Sequence, residues 1–131
     1  MEKHGNYHKP LTFWRSVKHA WRGLGYTWKT QSHMRFHCLA GVLILTFAWW
    51  SGLEYWKWLI LILTMGGVFL AETINTAIEL VVDLVEPHFH PLAGLAKDVA
   101  AGTVLITVLQ ALVVGVLLFY QPMLRVLKNL F

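Results

Sequence analysis

The fold is decided by residues 59–83, which read LILILTMGGVFLAETINTAIELVVD. The first thirteen residues of this segment, Leu59 to Ala71, carry no charge. A helix needs about 20 residues to cross the hydrocarbon core of a bilayer. The helix must therefore continue from Glu72 through Asp83, and the segment predicts a transmembrane helix that carries carboxylates beside one membrane face.

Four polar residues of this segment share one face of the predicted helix. They are Glu72, Asn75, Glu79 and Asp83. At about 100° per residue they fall within about 80° of one another. A carboxylate near hydrocarbon costs about 2.5–3.5 kcal/mol on insertion scales, so each needs a cation, a partner or a proton. A bound divalent cation would meet that need. For Asp83 and Glu86 a second interpretation is open, because water can solvate both at the end of the helix.

The composition predicts a membrane protein. Of the 131 residues 56% are apolar, against about 45–50% in a soluble globular protein. Seven of the eleven basic residues precede the first apolar span, and the positive-inside rule then places the N-terminus in the cytoplasm. Trp14, Trp21 and Trp28 lie among these basic residues, which favours a membrane interface over a nucleic-acid partner. The single cysteine, Cys38, excludes an internal disulfide.

Hydrophobic periodicity predicts an all-α integral membrane protein of one domain. Residues 12–30 are predicted to form an amphipathic helix on the cytoplasmic membrane surface. Three transmembrane spans are predicted at residues 36–53, 56–85 and 99–120. Pro87 and Pro91 interrupt the helical pattern and predict a loop from His88 to Gly94. Gln121-Pro122 predicts the end of the third spanning helix.

Polar residues outside the acidic face suggest phosphate chemistry only weakly. Lys97-Asp98 enters the third span at the membrane depth of the acidic face, where a lysine can hold a phosphate as a point charge or snorkel to the interface. His88-Phe89-His90 is more typical of loop polar groups than of a metal site, and Arg35 is by default an interface anchor. The chain has no G-x-x-x-x-G-K-[ST] loop and no dinucleotide fingerprint. The residues alone therefore indicate an intramembrane acidic site without a defined reaction.

Three motifs resemble the signature of the prokaryotic diacylglycerol kinase family. They are ETINTAIELVVD at 72–83, HPLA at 90–93 and AKDVAAG at 96–102. The form VVDLVEPHFHPLA is similar to the Gram-positive branch, whose usual substrate is undecaprenol. With Ala20-x-x-Gly23 and Met34-Arg35-Phe36-His37, the resemblance covers roughly Phe13 to Tyr120. It implies a homotrimer in which each chain has a surface helix and three spans.

The resemblance also implies roles at individual positions. Glu72 would be the general base that takes the proton of a lipid hydroxyl, and Asn75 would help to align the reacting groups. Glu79 would bind the Mg²⁺ that bridges the phosphates of ATP. Met34 and Arg35 match positions beside the substrate. The other positions that match nucleotide contacts are His19, Gln31, His88, Phe89, His90, Lys97 and Asp98.

One position departs from the family pattern. The family has Glu as a second metal-coordinating acid four residues before Arg35, and this chain has Gln31 there. An amide oxygen can coordinate a cation, but the exchange removes one charge from a site meant for a dication. Three interpretations stay open: another acid compensates, with Asp83 the candidate; metal affinity and rate are reduced; or the chain is a divergent member.

The resemblance implies a lipid kinase that transfers the γ-phosphate of ATP to a membrane lipid alcohol, with undecaprenol favoured over diacylglycerol. Its expected partners are ATP, Mg²⁺, the lipid, the bilayer and two further copies of the chain, without nucleic acid. The expected location is the plasma membrane of a bacterium, with several spans and a cytoplasmic N-terminus. Two other classes of function compete with it. One is an intramembrane cation or proton carrier that uses Glu72 and Glu79 as a relay, and the other is an inactive membrane scaffold.

Overall fold

The computed structural model describes residues 12–130 and contains four helices in this range. They are α1 (Phe13–Thr30), α2 (Ser32–Trp50), α3 (Tyr55–Val85) and α4 (Pro91–Leu130). The prediction of an all-α chain is confirmed. Two of the basic residues counted toward the N-terminal charge, Lys3 and Lys9, lie outside the described residues.

The predicted end of the last helix at Gln121-Pro122 is wrong. α4 continues through Pro122 to Leu130. Proline removes one backbone N–H and crowds the carbonyl four residues earlier, yet membrane helices tolerate it where neighbouring groups compensate. The side chain of Pro122 is fully buried, so packing holds the helix together at this point.

The predicted loop from His88 to Gly94 is also too long. α4 begins at Pro91, and the loop therefore ends at His90. The fixed φ of proline suits the first position of a helix, where its missing N–H has no intrahelical partner to lose. His90 stabilises this start, because its Nδ1 accepts a hydrogen bond from the backbone N–H of Leu92 at 3.2 Å.

Two helices among the described residues are long and apolar enough to cross a membrane. They are α3 and α4, the latter through Lys128. α2 has 19 residues and begins with the polar segment Ser32 to His37. Length and composition therefore identify two candidate spans, and α2 is a shorter apolar helix beside them.

An apolar core joins three helices at one end of the molecule. It consists of Ala48, Leu53, Leu61, Leu118 and Phe119. The rings of Phe47 and Phe119 lie 5.3 Å apart and connect α2 to α4. Gly52 makes the turn between α2 and α3 with a φ of +63°, a backbone conformation that favours glycine. This core fixes the far ends of α3 and α4, and the acidic face of α3 lies at the opposite end.

The same turn carries a small polar cluster around Glu54. The carboxylate of Glu54 accepts hydrogen bonds from Trp56 Nε1 at 2.9 Å and from Lys57 Nζ at 2.7 Å. The hydrogen bond from Lys57 and that from Trp56 hold the pKa of Glu54 below its ordinary value of 4.5. Glu54 is therefore a charged anchor at the start of α3, next to the exposed aromatic rings.

Apolar side chains cover most of the outer surface of α4. Those that are exposed along its middle are Leu105, Ile106, Leu109, Leu112, Val113, Val116 and Leu117. A soluble monomer rarely leaves so long an apolar face in water. This surface is suited to lipid or to another protein chain.

Candidate active site

The deepest acid of the predicted face is buried. Glu72 is 2% exposed on α3, and no described group donates a hydrogen bond to its Oε1. The backbone oxygen of the same residue accepts a hydrogen bond from Thr76 Oγ1 at 2.8 Å. A buried carboxylate oxygen without a partner is costly unless a proton, a cation or a donor reaches it. Glu72 thus has a free acceptor site on the helix face that the sequence predicted to need a cation, a partner or a proton.

Glu79 lies one helical turn beyond Asn75, and amide groups bind both of its carboxylate oxygens. Asn75 Nδ2 donates to Oε1 at 3.0 Å, and Gln31 Nε2 donates to Oε2 at 2.9 Å. The first contact is an i, i+4 pair within α3. The second connects residues 48 positions apart. The predicted metal-binding pair, Glu79 and Gln31, is therefore brought together.

Asn75 lies between the two acids on α3 and binds one of them, Glu79. It is 6% exposed, and its Oδ1 has no hydrogen-bond partner among the described residues. Its amide nitrogen is committed to Glu79, so the oxygen is the part of the side chain that can accept a donor or contact a cation. Asn75 Oδ1 and Glu72 Oε1 are thus two buried acceptors on one face of α3.

Lys97 is brought to the outer edge of this face by the turn between α3 and α4. Its Nζ lies 2.6 Å from Asp83 Oδ1. The side chains are 38% and 60% exposed, respectively, and water can reach both. Asp83 therefore pairs with the lysine and does not contact Gln31 or Glu79, while Asp98 is exposed on the next position of α4.

The remaining residues matched to nucleotide contacts are not gathered around the acids. His88, Phe89 and His90 are exposed in the loop before α4, and Phe89 reaches 94% exposure. His90 uses its Nδ1 to cap the start of α4. His19 is exposed on α1 beside basic residues of the same helix. In one chain none of these side chains forms a hydrogen bond with Glu72 among the described residues.

Sequence reasoning missed the role of Arg35. Its Nη1 donates to the backbone oxygens of Trp28 at 3.3 Å and Lys29 at 3.1 Å, at the C-terminal end of α1. Those carbonyls lack intrahelical partners and carry the negative end of the helix dipole. The signal was present in the sequence, since a basic residue follows the end of the first predicted helix by a few positions.

A groove beside the acidic face was also missed. It has a volume of about 590 Å³. Its lining residues are Trp21, Leu24, Gly25, Trp28, Met34, Cys38, Phe69 and Thr73. Met34 is buried at its base, at 6% exposure. The groove lies between α1, α2 and α3, and no local sequence pattern reports a space that three helices enclose together.

Comparison with known proteins identifies the family. The sequence model of the family described as "Prokaryotic diacylglycerol kinase" matches residues 18–119, and the chain belongs to this family. The resemblance found in its motifs is confirmed.

Individual relatives agree with this assignment. The undecaprenol kinase of Bacillus subtilis is 39% identical over 107 residues, which cover 82% of this chain and 87% of the relative. The diacylglycerol kinase of Synechocystis is 41% identical over 86% of this chain, which spans 65% of that relative's length. The diacylglycerol kinase of Escherichia coli is 31% identical over 82% of this chain and 88% of its own length. The chain is therefore an enzyme of the lipid kinase class.

Proposed function

We propose that this kinase transfers the γ-phosphate of ATP to undecaprenol at the cytoplasmic face of a bacterial plasma membrane. The observation that carries the proposal is Glu72, a buried carboxylate with an unpartnered oxygen on a membrane helix. The similarity to the undecaprenol kinase of Bacillus subtilis extends over 87% of that protein and favours undecaprenol. The Synechocystis relative, a diacylglycerol kinase, makes diacylglycerol the second candidate acceptor.

The proposed chemistry uses the two buried acceptors of α3. Glu72 Oε1 accepts the proton of the lipid hydroxyl while the hydroxyl oxygen forms a bond to the γ-phosphorus of ATP. The bond between the γ-phosphorus and the bridging oxygen breaks, and ADP leaves. Asn75 Oδ1 lies on the same face and would orient the reacting groups. Such phosphoryl transfer depends mainly on positioning and on neutralising the phosphate charge.

Lys97 and the residues around it are proposed to bind the nucleotide. The ammonium of Lys97 faces the rim of the acidic face and can hold a phosphate as a point charge. We assign Asp98 and the exposed loop residues His88, Phe89 and His90 to the same task. Their exposure in a single chain suits contacts with a soluble substrate that arrives from water.

We propose Mg²⁺ as the cofactor, held by Glu79 and Gln31. Among residues 12–130, no three His, Cys, Asp or Glu side chains cluster closely enough to hold a metal by themselves. The available donors are therefore a carboxylate and amide oxygens, and oxygen donors are those that Mg²⁺ prefers. When bound there, Mg²⁺ would neutralise charge on the phosphates. The unpartnered Asn75 Oδ1 beside Glu79 is consistent with this donor set.

The decisive experiment replaces Glu72 by Gln in the full-length protein in lipid nanodiscs. Transfer of labelled γ-phosphate is measured to undecaprenol and, in parallel, to diacylglycerol. We expect a fall of about 10²- to 10⁴-fold, the range for loss of a general base. Glu54→Gln is the matched control, because Glu54 is an exposed acid at the start of the same helix, far along the chain from Glu72, and it should keep full activity.

The two candidate lipid substrates and the two competing classes of function predict different results in this experiment. If the wild-type protein phosphorylates diacylglycerol faster than undecaprenol, diacylglycerol is the preferred substrate. Transfer to neither lipid by the wild-type protein, with flux of protons or cations in sealed vesicles, would establish the carrier class. Neither transfer nor flux by a folded protein would establish the scaffold.

We propose that three chains assemble and that α1 lies on the cytoplasmic surface. The exposed apolar face of α4 and the resemblance to homotrimeric kinases support the assembly. The exposed aromatic side chains Phe13, Trp14 and Trp21 on α1 support its contact with the interface. Native mass spectrometry in detergent should give three times the chain mass of 15.0 kDa, and a different multiple would contradict the trimer.

A further inference from the structure

Gln31 occupies the one-residue junction between α1 and α2. Its backbone N–H donates to Thr27 O at 2.8 Å and continues the hydrogen bonding of α1. The side chain points to α3, where Nε2 donates to Glu79 Oε2 at 2.9 Å. A residue at the end of one helix is thus tied to a carboxylate on another helix.

Each carboxylate oxygen of Glu79 accepts a hydrogen bond from the protein without a cation. Asn75 Nδ2 binds one oxygen and Gln31 Nε2 binds the other. Both donors are neutral amides, and hydrogen bonds from them to an ionised acceptor are stronger than those between two neutral groups. A glutamate at position 31 could make no such bond when ionised. Two carboxylates facing each other would require a proton or a cation between them.

We propose that Gln31 and Asn75 form an amide clasp on Glu79 that closes the site in the absence of a divalent cation. The proposal rests on the proposed role of Glu79 as the cation ligand. For the cation to reach Glu79 Oε2, the Gln31 amide must release it, and rotation of the amide then presents Oε1 as a ligand. Gln31 thereby lowers the affinity for the cation and stabilises the cation-free protein.

The clasp distinguishes this chain from one that carries the family glutamate at position 31. The glutamate form would depend on its cation for stability, whereas the glutamine form would be stable without it. The glutamine form would consequently bind Mg²⁺ only at higher free Mg²⁺ concentrations than the glutamate form. Arg35 keeps α1 and α2 joined through its own bonds to Trp28 O and Lys29 O, so release of the clasp need not separate these helices.

The test compares the wild type with Gln31→Glu in detergent-solubilised full-length protein. Mn²⁺ binding is measured by electron paramagnetic resonance, and thermal unfolding is measured in EDTA and in excess Mg²⁺. For Gln31→Glu we expect Mn²⁺ binding to tighten about tenfold or more, the size of effect seen when partners of metal ligands change. In EDTA its unfolding midpoint should fall by about 3 °C or more, and excess Mg²⁺ should restore it.

Gln121→Glu is the matched control. It adds the same charge at an exposed position of α4, near the apolar core and far from Glu79, and it should change neither measurement. Gln31→Met keeps the length of the side chain and removes the donor without adding charge. It should lower the midpoint in EDTA, which tests the clasp even if Gln31→Glu fails to fold.

The clasp is overturned if Gln31→Glu and Gln31→Met unfold at the wild-type midpoint in EDTA, or if Mn²⁺ binds Gln31→Glu no more tightly than the wild type. Neither readout uses phosphoryl transfer. Loss of the proposed function would appear as an inactive wild type, while the differences in unfolding midpoint would remain. The two proposals can therefore fail independently.

Discussion

Lys97 and Asp83 form an ion pair at the rim of the acidic face, and its exposure limits its contribution to stability. The charged atoms lie 2.6 Å apart, but the side chains are 38% and 60% exposed. Exposed ion pairs contribute about 0–1 kcal/mol to stability. The pair therefore contributes little to stability, and Asp83 can release Lys97 to its proposed partner, a phosphate of ATP.

We predict different effects for the two members of this pair. Lys97→Met should raise the KM for ATP about tenfold or more, since a hydrogen bond to a charged group contributes about 1.5–3 kcal/mol. Asp83→Asn should leave that KM unchanged or lower it, because the lysine loses a competing partner. Steady-state kinetics with varied ATP measures both. An equal rise of KM in both variants would instead make Asp83 a positioning residue for Lys97.

At the residue scale, the sequence predicted which residues share a face of a helix, but it did not predict which residues of other helices they contact. Helical periodicity is enough to place Glu72, Asn75 and Glu79 on one side of α3, and the buried positions of Glu72 and Asn75 agree with it. Periodicity does not report which residue of another helix meets them. The bond from Gln31 to Glu79 spans 48 positions and depends on how the α1–α2 junction packs against α3.

At the scale of elements, the two tight junctions are built differently. The α1–α2 junction has one non-helical residue, Gln31, whose backbone is extended. The α2–α3 turn depends on Gly52, at a φ of +63°. A side chain at such a φ places its Cβ too close to the following carbonyl oxygen. The second junction is therefore the more sensitive to substitution.

We predict opposite effects for two glycine substitutions. Gly52→Ala should destabilise the protein by about 1 kcal/mol, because alanine is strained in the left-handed conformation. Gly23→Ala should stabilise it by about 0.5–1 kcal/mol, since glycine lowers the stability of a helix interior. A Cβ at Gly23 would meet no atom within 4 Å. Thermal unfolding in detergent measures both, and a Gly52→Ala protein as stable as the wild type would contradict the strain argument.

The end of α3 before Pro87 was predicted correctly, whereas the helix boundaries assigned from Pro91 and Pro122 were wrong. α3 ends at Val85, where the pattern before Pro87 predicted it. At Pro91 and Pro122 the same residue type has two other functions, the first position of α4 and a packed interior position. Proline excludes a backbone hydrogen bond but does not determine whether packing compensates for it. Only tertiary structure supplies that information.

At the scale of the whole molecule, the apolar core and the candidate active site lie at different halves of α3. The apolar core of Ala48, Leu53, Leu61, Leu118 and Phe119 joins the helices at one end. The buried polar groups with unpartnered oxygens, Glu72 and Asn75, lie past the middle of α3 in its C-terminal half. Unsatisfied buried groups lower stability, and a distant apolar core is a way to tolerate them. This separation predicts that substitutions in the core affect unfolding more than phosphoryl transfer.

Whether α2 crosses the bilayer decides the topology of the chain. α2 has 19 residues, and at 1.5 Å per residue it extends about 28 Å, close to the hydrocarbon thickness of about 30 Å. The exposed aromatic side chains Trp49, Trp50, Tyr55 and Trp56 lie at its far end, as expected of a second membrane interface. The proposed topology, in which α2 crosses the bilayer, would put Tyr55 outside and both α1 and the α3–α4 loop inside.

Cysteine labelling tests this topology in intact cells. In a Cys38→Ser background, single cysteines replace three exposed side chains, Trp14 on α1, Tyr55 at the start of α3 and Phe89 in the α3–α4 loop. A membrane-impermeant maleimide should label Tyr55→Cys, and it should label Trp14→Cys and Phe89→Cys only after the cells are opened. If α2 stayed on one side, Trp14→Cys and Tyr55→Cys would label alike. Phe89→Cys would still differ from Tyr55→Cys if α3, which is long and apolar enough to span, crosses the bilayer. Comparing Trp14→Cys with Tyr55→Cys therefore isolates α2, and comparing Tyr55→Cys with Phe89→Cys verifies that the labelling reports a crossing.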